Sequence, residues 1–282
     1  MLGSDVLRWS FDPALLGTLL TTAALYVLAL GPLRARLGGS PAPPWRVVAF
    51  VAGLLVTFLA EASPLHDLGE VYQFSAHMLQ HVVLAYVVPP LLIVGTPPWL
   101  AARVLGLPGV RPVLRTLTRP LVALLMFSLA FSIWHVPSIY QAAFRSAALH
   151  HVEHVLFIGT ALIMWWPLMG DVPFLARLGR AGSVGYLLVL PVGQFVVSAL
   201  LSFSSVSAYP MYAAAPRITA LSPVEDQQLG GIVMKIAGFL AFGIPLAWIF
   251  LRWAAEESRP VRRPPAARAA PEPNPDAPER AQ

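Results

Sequence analysis

The chain has 282 residues, of which 57% are hydrophobic and 12% charged, with a mean hydropathy of +0.67. Soluble domains carry about 25% charged residues, so this balance is wrong for a soluble globular protein. Cysteine is absent, which excludes disulfides, zinc ribbons, iron–sulfur ligation and thiolate copper sites, and leaves imidazole, thioether and carboxylate as metal donors. The net charge of +5 comes from basic residues scattered among short connections without interleaved aromatics. That is a topological signal, not a nucleic-acid surface.

Apolar segments fall at about 14–33, 45–60, 72–95, 119–136, 147–169, 184–204 and 229–253. Most approach the roughly 20 residues that carry a helix across about 30 Å of hydrocarbon. They predict an all-α polytopic membrane protein, a seven-transmembrane-helix bundle spanning residues 1–257. Only Arg8 precedes the first segment, whereas Arg34 and Arg36 follow it, so that segment is expected to be a retained N-out helix, not a signal peptide. The connections after segments 1, 3 and 5, together with the C-terminus, hold 15 of the 19 basic residues. Positively charged loops stay cytoplasmic, so the expected orientation is N-out/C-in. Residues 258–282 are rich in Pro, Ala, Arg and Glu and read as a disordered cytoplasmic tail.

Within this topology all seven histidines fall on the outer side. His66 lies in the loop after segment 2, His77 and His81 in the outer half of segment 3, and His135 at the end of segment 4. His150, His151 and His154 open segment 5. His77/His81 and His150/His154 are each four residues apart, so each pair stacks on one helical face about 6 Å apart along the axis. Imidazoles inside a span are costly unless they face the bundle interior and find a partner. Two such pairs converging on one ion would supply it, with His135 as a further or alternative ligand. His66 and His151 read instead as ordinary hydrogen-bonded histidines.

The sequence His150-x-x-Glu153-His154 formally matches an inverted zinc-protease signature. We read Glu153 as a carboxylate that orients an imidazole, and expect no enzyme. Gln80 lies between His77 and His81; Met78, Met211 and Met234 lie nearby, and methionine in an apolar span is usually filler. Segment 7 opens with Asp226, Gln227, Gln228, Gly230 and Gly231. Its lysine, Lys235, is an intramembrane charge expected either to tune the site or to pair with Asp226 or Glu153. The two glycines permit close helix approach. Pro89 and Pro90 break segment 3, and Trp165 and Trp166 read as an inner aromatic belt.

These residues resemble the membrane-integral CtaG-type cytochrome c oxidase assembly factors. The likeness runs through His77-x-x-Gln80-His81, Pro89-Pro90-Leu91-Leu92, Gly95-x-Pro97 and Trp134-His135-x-Pro137-x-x-Tyr140. It continues in His150-x-x-Glu153-His154 with Phe157, Trp165-Trp166-Pro167, Tyr209-Pro210-x-Tyr212 and Asp226-Gln227-Gln228-x-Gly230-Gly231 before Met234. The resemblance implies a multi-pass protein of the bacterial plasma (inner) membrane that serves the respiratory chain. Its partners would be cytochrome c oxidase subunits or assembly intermediates, and it would act as a chaperone helping copper reach a haem-copper oxidase on the outer side. Copper held by His77, His81, His135, His150 and His154 fits that expectation, because imidazole suits copper in either oxidation state. Glu153, Asp226, Lys235, Gln80, Met78 and Met234 would then surround the ligands. Two other classes also fit the residues: a haem-binding membrane oxidoreductase using axial imidazoles, and a transporter or proton relay built on histidine and lysine.

Overall fold

The computed structural model describes residues 8–258, all in helices and connections. The tail expected beyond 258 lies outside the described residues. Helices α1 (Pro13–Leu30) and α2 (Pro44–Ala62) form an antiparallel pair at one edge. A short α3 (Pro64–Asp67) and a π-helical turn (Leu68–Tyr72) lead into α4 (Phe74–Tyr86), which continues as α5 (Val88–Gly95). After α6 (Pro98–Leu105) and α7 (Val110–Leu117), the chain turns through 82° into α8 (Pro120–Trp134). Then follow α9 (Pro137–Phe144), α10 (Ala147–Met169), α11 (Arg180–Val189), α12 (Pro191–Phe203), α13 (Pro210–Ala214) and α14 (Pro223–Glu257).

Nine of these helices begin on proline. The ring presets φ for the first helical turn, and the missing N–H is one that a helix start leaves unpaired anyway. Side-chain caps complete several starts. Asp12 accepts from Ala14 and Leu15, Ser146 accepts from Leu149, and Ser222 forms a reciprocal capping box with Glu225.

Six helices or continuous helix pairs are long and apolar enough to cross a membrane, and the bent α7–α8 pair makes a seventh. Consecutive spans alternate in direction. His135 at the end of α8 reaches Met78 of α4, while Arg111 of α7 lies over Phe174 in the connection after α10. The span built on α8 therefore runs from an arginine-bearing end to a histidine-bearing end.

The expected break in the third segment falls between Tyr86 and Val88. Pro89 has no N–H to offer the carbonyl of Ala85, its partner four residues back. The indole Nε1 of Trp165 donates to that carbonyl instead, at 3.0 Å. Trp165 is thus buried and bonded to the break, which corrects its reading as part of an interfacial belt.

The core lies where α4, α8, α10, α12 and α14 meet, around Phe74, Met78, Phe127, Phe131, Phe157, Met164 and Phe242. Gly230 and Gly231 bring α14 against its neighbours as expected. A Cβ on Gly230 would lie 2.5 Å from the Phe74 ring, and one on Gly231 would lie 2.8 Å from the Ser198 carbonyl.

Candidate metal centre

Four short stretches converge at the histidine-bearing end: the last turn of α2, the α3–π-turn connection, the first two turns of α4 and the first two turns of α10. The π-turn lies directly on α4, because Gly69 approaches so closely that a Cβ there would meet the His77 Cα at 2.8 Å. Tyr212 fixes the same glycine by donating to its carbonyl at 2.7 Å, and its hydroxyl is also 2.7 Å from that of Tyr140.

The two histidine pairs come together as their spacing predicts. Ring centroids of His77 and His81 are 4.1 Å apart, those of His150 and His154 are 4.2 Å apart, and across the helices those of His81 and His154 are 5.0 Å apart. The Nε2 atoms of His81 and His154 face each other at 3.1 Å. That gap leaves no room for a porphyrin between them. Two overlapping groups of donors result, in each of which one donor atom per residue lies within 4.8 Å of the others: His77, His81 and His154, and His77, His150 and Glu153.

Behind these rings stand two carboxylates that the sequence reading passed over. Glu61 lies 2.9 Å from Nδ1 of His154, and Glu70 lies 2.8 Å from Nδ1 of His150. An ionised carboxylate only accepts, so both Nδ1 atoms carry the proton and both Nε2 lone pairs point away, into the cluster. A carboxylate holding the far nitrogen of an imidazole is the usual support of a metal-binding histidine. Burial pushes the Glu70 carboxyl up, but the hydrogen bond and charge of His150 outweigh it, and Glu70 sits below the ordinary carboxylate range. The available signal was compositional: Glu61, His66, Asp67 and Glu70 crowd a ten-residue stretch of a chain otherwise poor in charge.

Several buried donor atoms have no hydrogen-bond partner: both ring nitrogens of His77, Nδ1 of His81, Nε2 of His150 and Oε1 of Glu153, which lies 3.8 Å from Nε2 of His81. Buried polar atoms are normally paired, so an unpaired set on converging side chains is the pattern that a metal-binding group leaves. The residues therefore fit a bound cation of the imidazole-preferring class. Glu153 belongs to the donor group itself; the carboxylates that orient imidazoles are Glu61 and Glu70. A cavity of about 520 Å³ reaches the cluster, lined by His77, His150, Glu153 and His154, with Asp12, Arg145 and His151 among its other lining residues.

The remaining expected residues take other places. His135 packs nearby, but Nδ1 is 2.6 Å from the Phe131 carbonyl and Nε2 is 3.3 Å from Sδ of Met78. Both nitrogens are engaged, and His135 belongs to neither donor group. Asp226 is fully buried and caps α4, accepting from the backbone N–H of Phe74 at 2.7 Å and of Ser75 at 3.2 Å, and from the Ser75 hydroxyl. Lys235 makes no ion pair among the described residues; its ammonium lies 5.9 Å from the centre of the Phe203 ring. The helix carries Lys235 about 13 Å along its axis from Asp226, too far for the expected pairing.

Gln80 bridges His66 at 3.1 Å and Glu61 at 3.5 Å. Met78 touches His135, and Met234 packs in the core. His66 is hydrogen-bonded as expected, but within the cluster, 3.2 Å from Glu70. His151 lies outside it, 61% exposed and 3.3 Å from Asp12 at the start of α1.

A family model described as cytochrome c oxidase caa3 assembly factor matches residues 24–256 of the chain. Among curated proteins, uncharacterized proteins of Mycobacterium bovis and Mycobacterium tuberculosis are each 26% identical over 271 residues, covering 90% of this chain and 40% of their own length. One of Mycobacterium leprae is 26% identical over 267 residues, covering 89% of this chain and 40% of its own. The chain thus spans about 40% of the length of these relatives. No solved structure matches it.

Proposed function

Because the chain belongs to the cytochrome c oxidase caa3 assembly factor family, we propose that it serves assembly by holding copper as cargo and passing it to an oxidase subunit or assembly intermediate. The site is His77, His81, His150, His154 and Glu153, with Glu61 and Glu70 fixing two of the imidazoles. The bacterial plasma membrane is its location, N-out/C-in, and the histidine-bearing end faces outward. The role is non-catalytic.

One observation carries this reading: four imidazoles and a carboxylate from two helices converge at one end of the bundle with unpartnered buried donor atoms. Imidazole-rich donors suit copper, whereas a hard oxygen-seeking ion would call for more carboxylates. The protein's own contribution is orientation. Glu61 and Glu70 hold the His154 and His150 rings through Nδ1, so that Nε2 of His150 is presented unpaired to cargo and Nε2 of His154 is turned into the cluster, where it shares a hydrogen bond with His81. His77 has both ring nitrogens buried and unpaired, and one of them lies within reach of each donor group.

The test is metal analysis with an optical spectrum on the detergent-purified chain, comparing the parent with the double variant His77→Ala/His81→Ala. We expect copper in the parent, its loss in the variant, and no Soret band in either. Copper retained undiminished by the variant would overturn the assignment, and a stoichiometric Soret band would replace it with haem binding.

A further inference from the structure

The two donor groups are not equivalent, and they share one residue. His77, His150 and Glu153 all line the cavity. His81 does not, although His154, its partner in the other group, does. Along α4, His81 lies one turn, about 6 Å, beyond His77, and along α10, His154 lies one turn beyond His150. The second group thus reaches deeper through His81 and His154, while His77 is common to both and Glu153, one residue before His154, adjoins it, with Oε1 3.8 Å from Nε2 of His81. The donor chemistry differs as well. The shallow group has two imidazoles and a carboxylate, and the deep group has three imidazoles with no charge of their own. His77 belongs to both and has neither ring nitrogen engaged.

We propose that the cluster is a two-position relay for a single cuprous ion, with His77 as the ligand common to both positions; this rests on the copper reading above. In the shallow position the ion is bound by His77, His150 and Glu153. To move inward it gives up its bonds to His150 and Glu153 and gains bonds to His81 and His154, while its bond to His77 persists; the hydrogen bond between Nε2 of His81 and Nε2 of His154 breaks, and its proton moves to the unpaired Nδ1 of His81. No electron moves, the ion keeps its single charge, and the Glu153 carboxylate stays behind. A shared ligand makes the two positions mutually exclusive, so the chain holds one ion at a time. The shallow position loads and releases through the cavity, and the deep position stores.

The arrangement follows from what exchange requires. A site with every ligand fixed around one ion binds tightly and releases slowly, whereas stepwise replacement of ligands avoids a fully stripped ion in a low-dielectric interior. The carboxylate favours capture of a cation from water. The uncharged imidazole group favours a soft monovalent ion once water is excluded.

The experiment uses the full chain in detergent micelles, loaded with cuprous ion under ascorbate without oxygen. It reads copper per chain, the rates of loading and of loss to a cuprous chelator, and ligand type by X-ray absorption. The parent is expected to hold one ion. His150→Ala/Glu153→Gln should still hold one, with nitrogen-only ligation, and load at least about tenfold more slowly. His81→Ala/His154→Ala should also hold one, with mixed nitrogen and oxygen ligation, and lose it at least about tenfold faster. His77→Ala should weaken binding at least about tenfold. Where an alanine variant fails to fold, judged by gel filtration, the glutamine variant at the same position replaces it.

Two ions per parent chain would overturn mutual exclusion and indicate a bridging His77. Loss of copper from both double variants, with the parent still binding one ion, would mean a single four-histidine site; the relay then fails and the copper reading stands. A parent that binds no copper removes both.

Discussion

His135 and Asp226 are two polar groups that this membrane protein buries for structural ends, and each carries a measurable consequence. Both ring nitrogens of His135 are engaged, Nδ1 with the Phe131 carbonyl and Nε2 with Sδ of Met78. His135→Leu, which removes both contacts, should cost about 1–3 kcal/mol, read as a lower unfolding midpoint in detergent. An unchanged midpoint would show that these contacts do not hold the end of α8 in place. Asp226→Ala leaves two buried backbone N–H groups at the start of α4 without their acceptor. A loss of about 1–3 kcal/mol per group is expected, read as a lower unfolding midpoint, with copper stoichiometry intact in the folded fraction. Neither role was legible in the sequence. A histidine or aspartate in an apolar segment announces a cost, and only the neighbouring helix shows what offsets it.

At the scale of elements, the α4–α5 break shows how local chemistry and packing answer each other. Pro89 removes the N–H that Ala85 would have used, and Trp165 of α10 supplies a replacement. Trp165→Phe should cost about 1–3 kcal/mol in the parent. In a Pro89→Ala background, where the backbone can satisfy Ala85 itself, it should cost clearly less. A double-mutant cycle of unfolding midpoints measures that difference, and additive effects would refute the compensation. The break was legible, since two consecutive prolines cannot continue a helix unperturbed. Its repair was not, because Trp165 is 80 residues away in the chain. The π-turn Leu68–Tyr72 has the same status. The sequence marks residues 61–72 only as a polar connection, yet it folds back onto α4 through Gly69 and delivers Glu70 to His150.

For the whole molecule, the alternating spans put Asp12, His66, His77, His150 and Asp226 at one end, and Arg46, Arg111, Arg180 and Arg252 at the other. The ends are held differently. At the arginine end Arg180 pairs with Glu256, Arg103 reaches the Leu37 carbonyl and Arg46 reaches that of Val94. The histidine end is knitted by carboxylates and tyrosines around the cavity. The natural absence of cysteine makes orientation directly testable. Ser205→Cys, near the start of α14, should react with a membrane-impermeant maleimide in intact cells. Ser40→Cys and Thr116→Cys should react only after lysis. The opposite pattern would turn the histidine end inward and overturn the proposed outward copper delivery.

The sequence by itself determined the number and approximate limits of the spans, because apolar length and proline are local properties read one residue at a time. It also determined that His77 and His81, and likewise His150 and His154, share a helical face, because the helical period fixes directions within one helix. How one helix is rotated against the next is set by packing, and that decided the rest. Tertiary structure turned the two histidine pairs towards each other, brought Glu61 and Glu70 behind them, drew Glu153 in among the donors, and assigned Asp226 to a helix start and His135 to a backbone carbonyl.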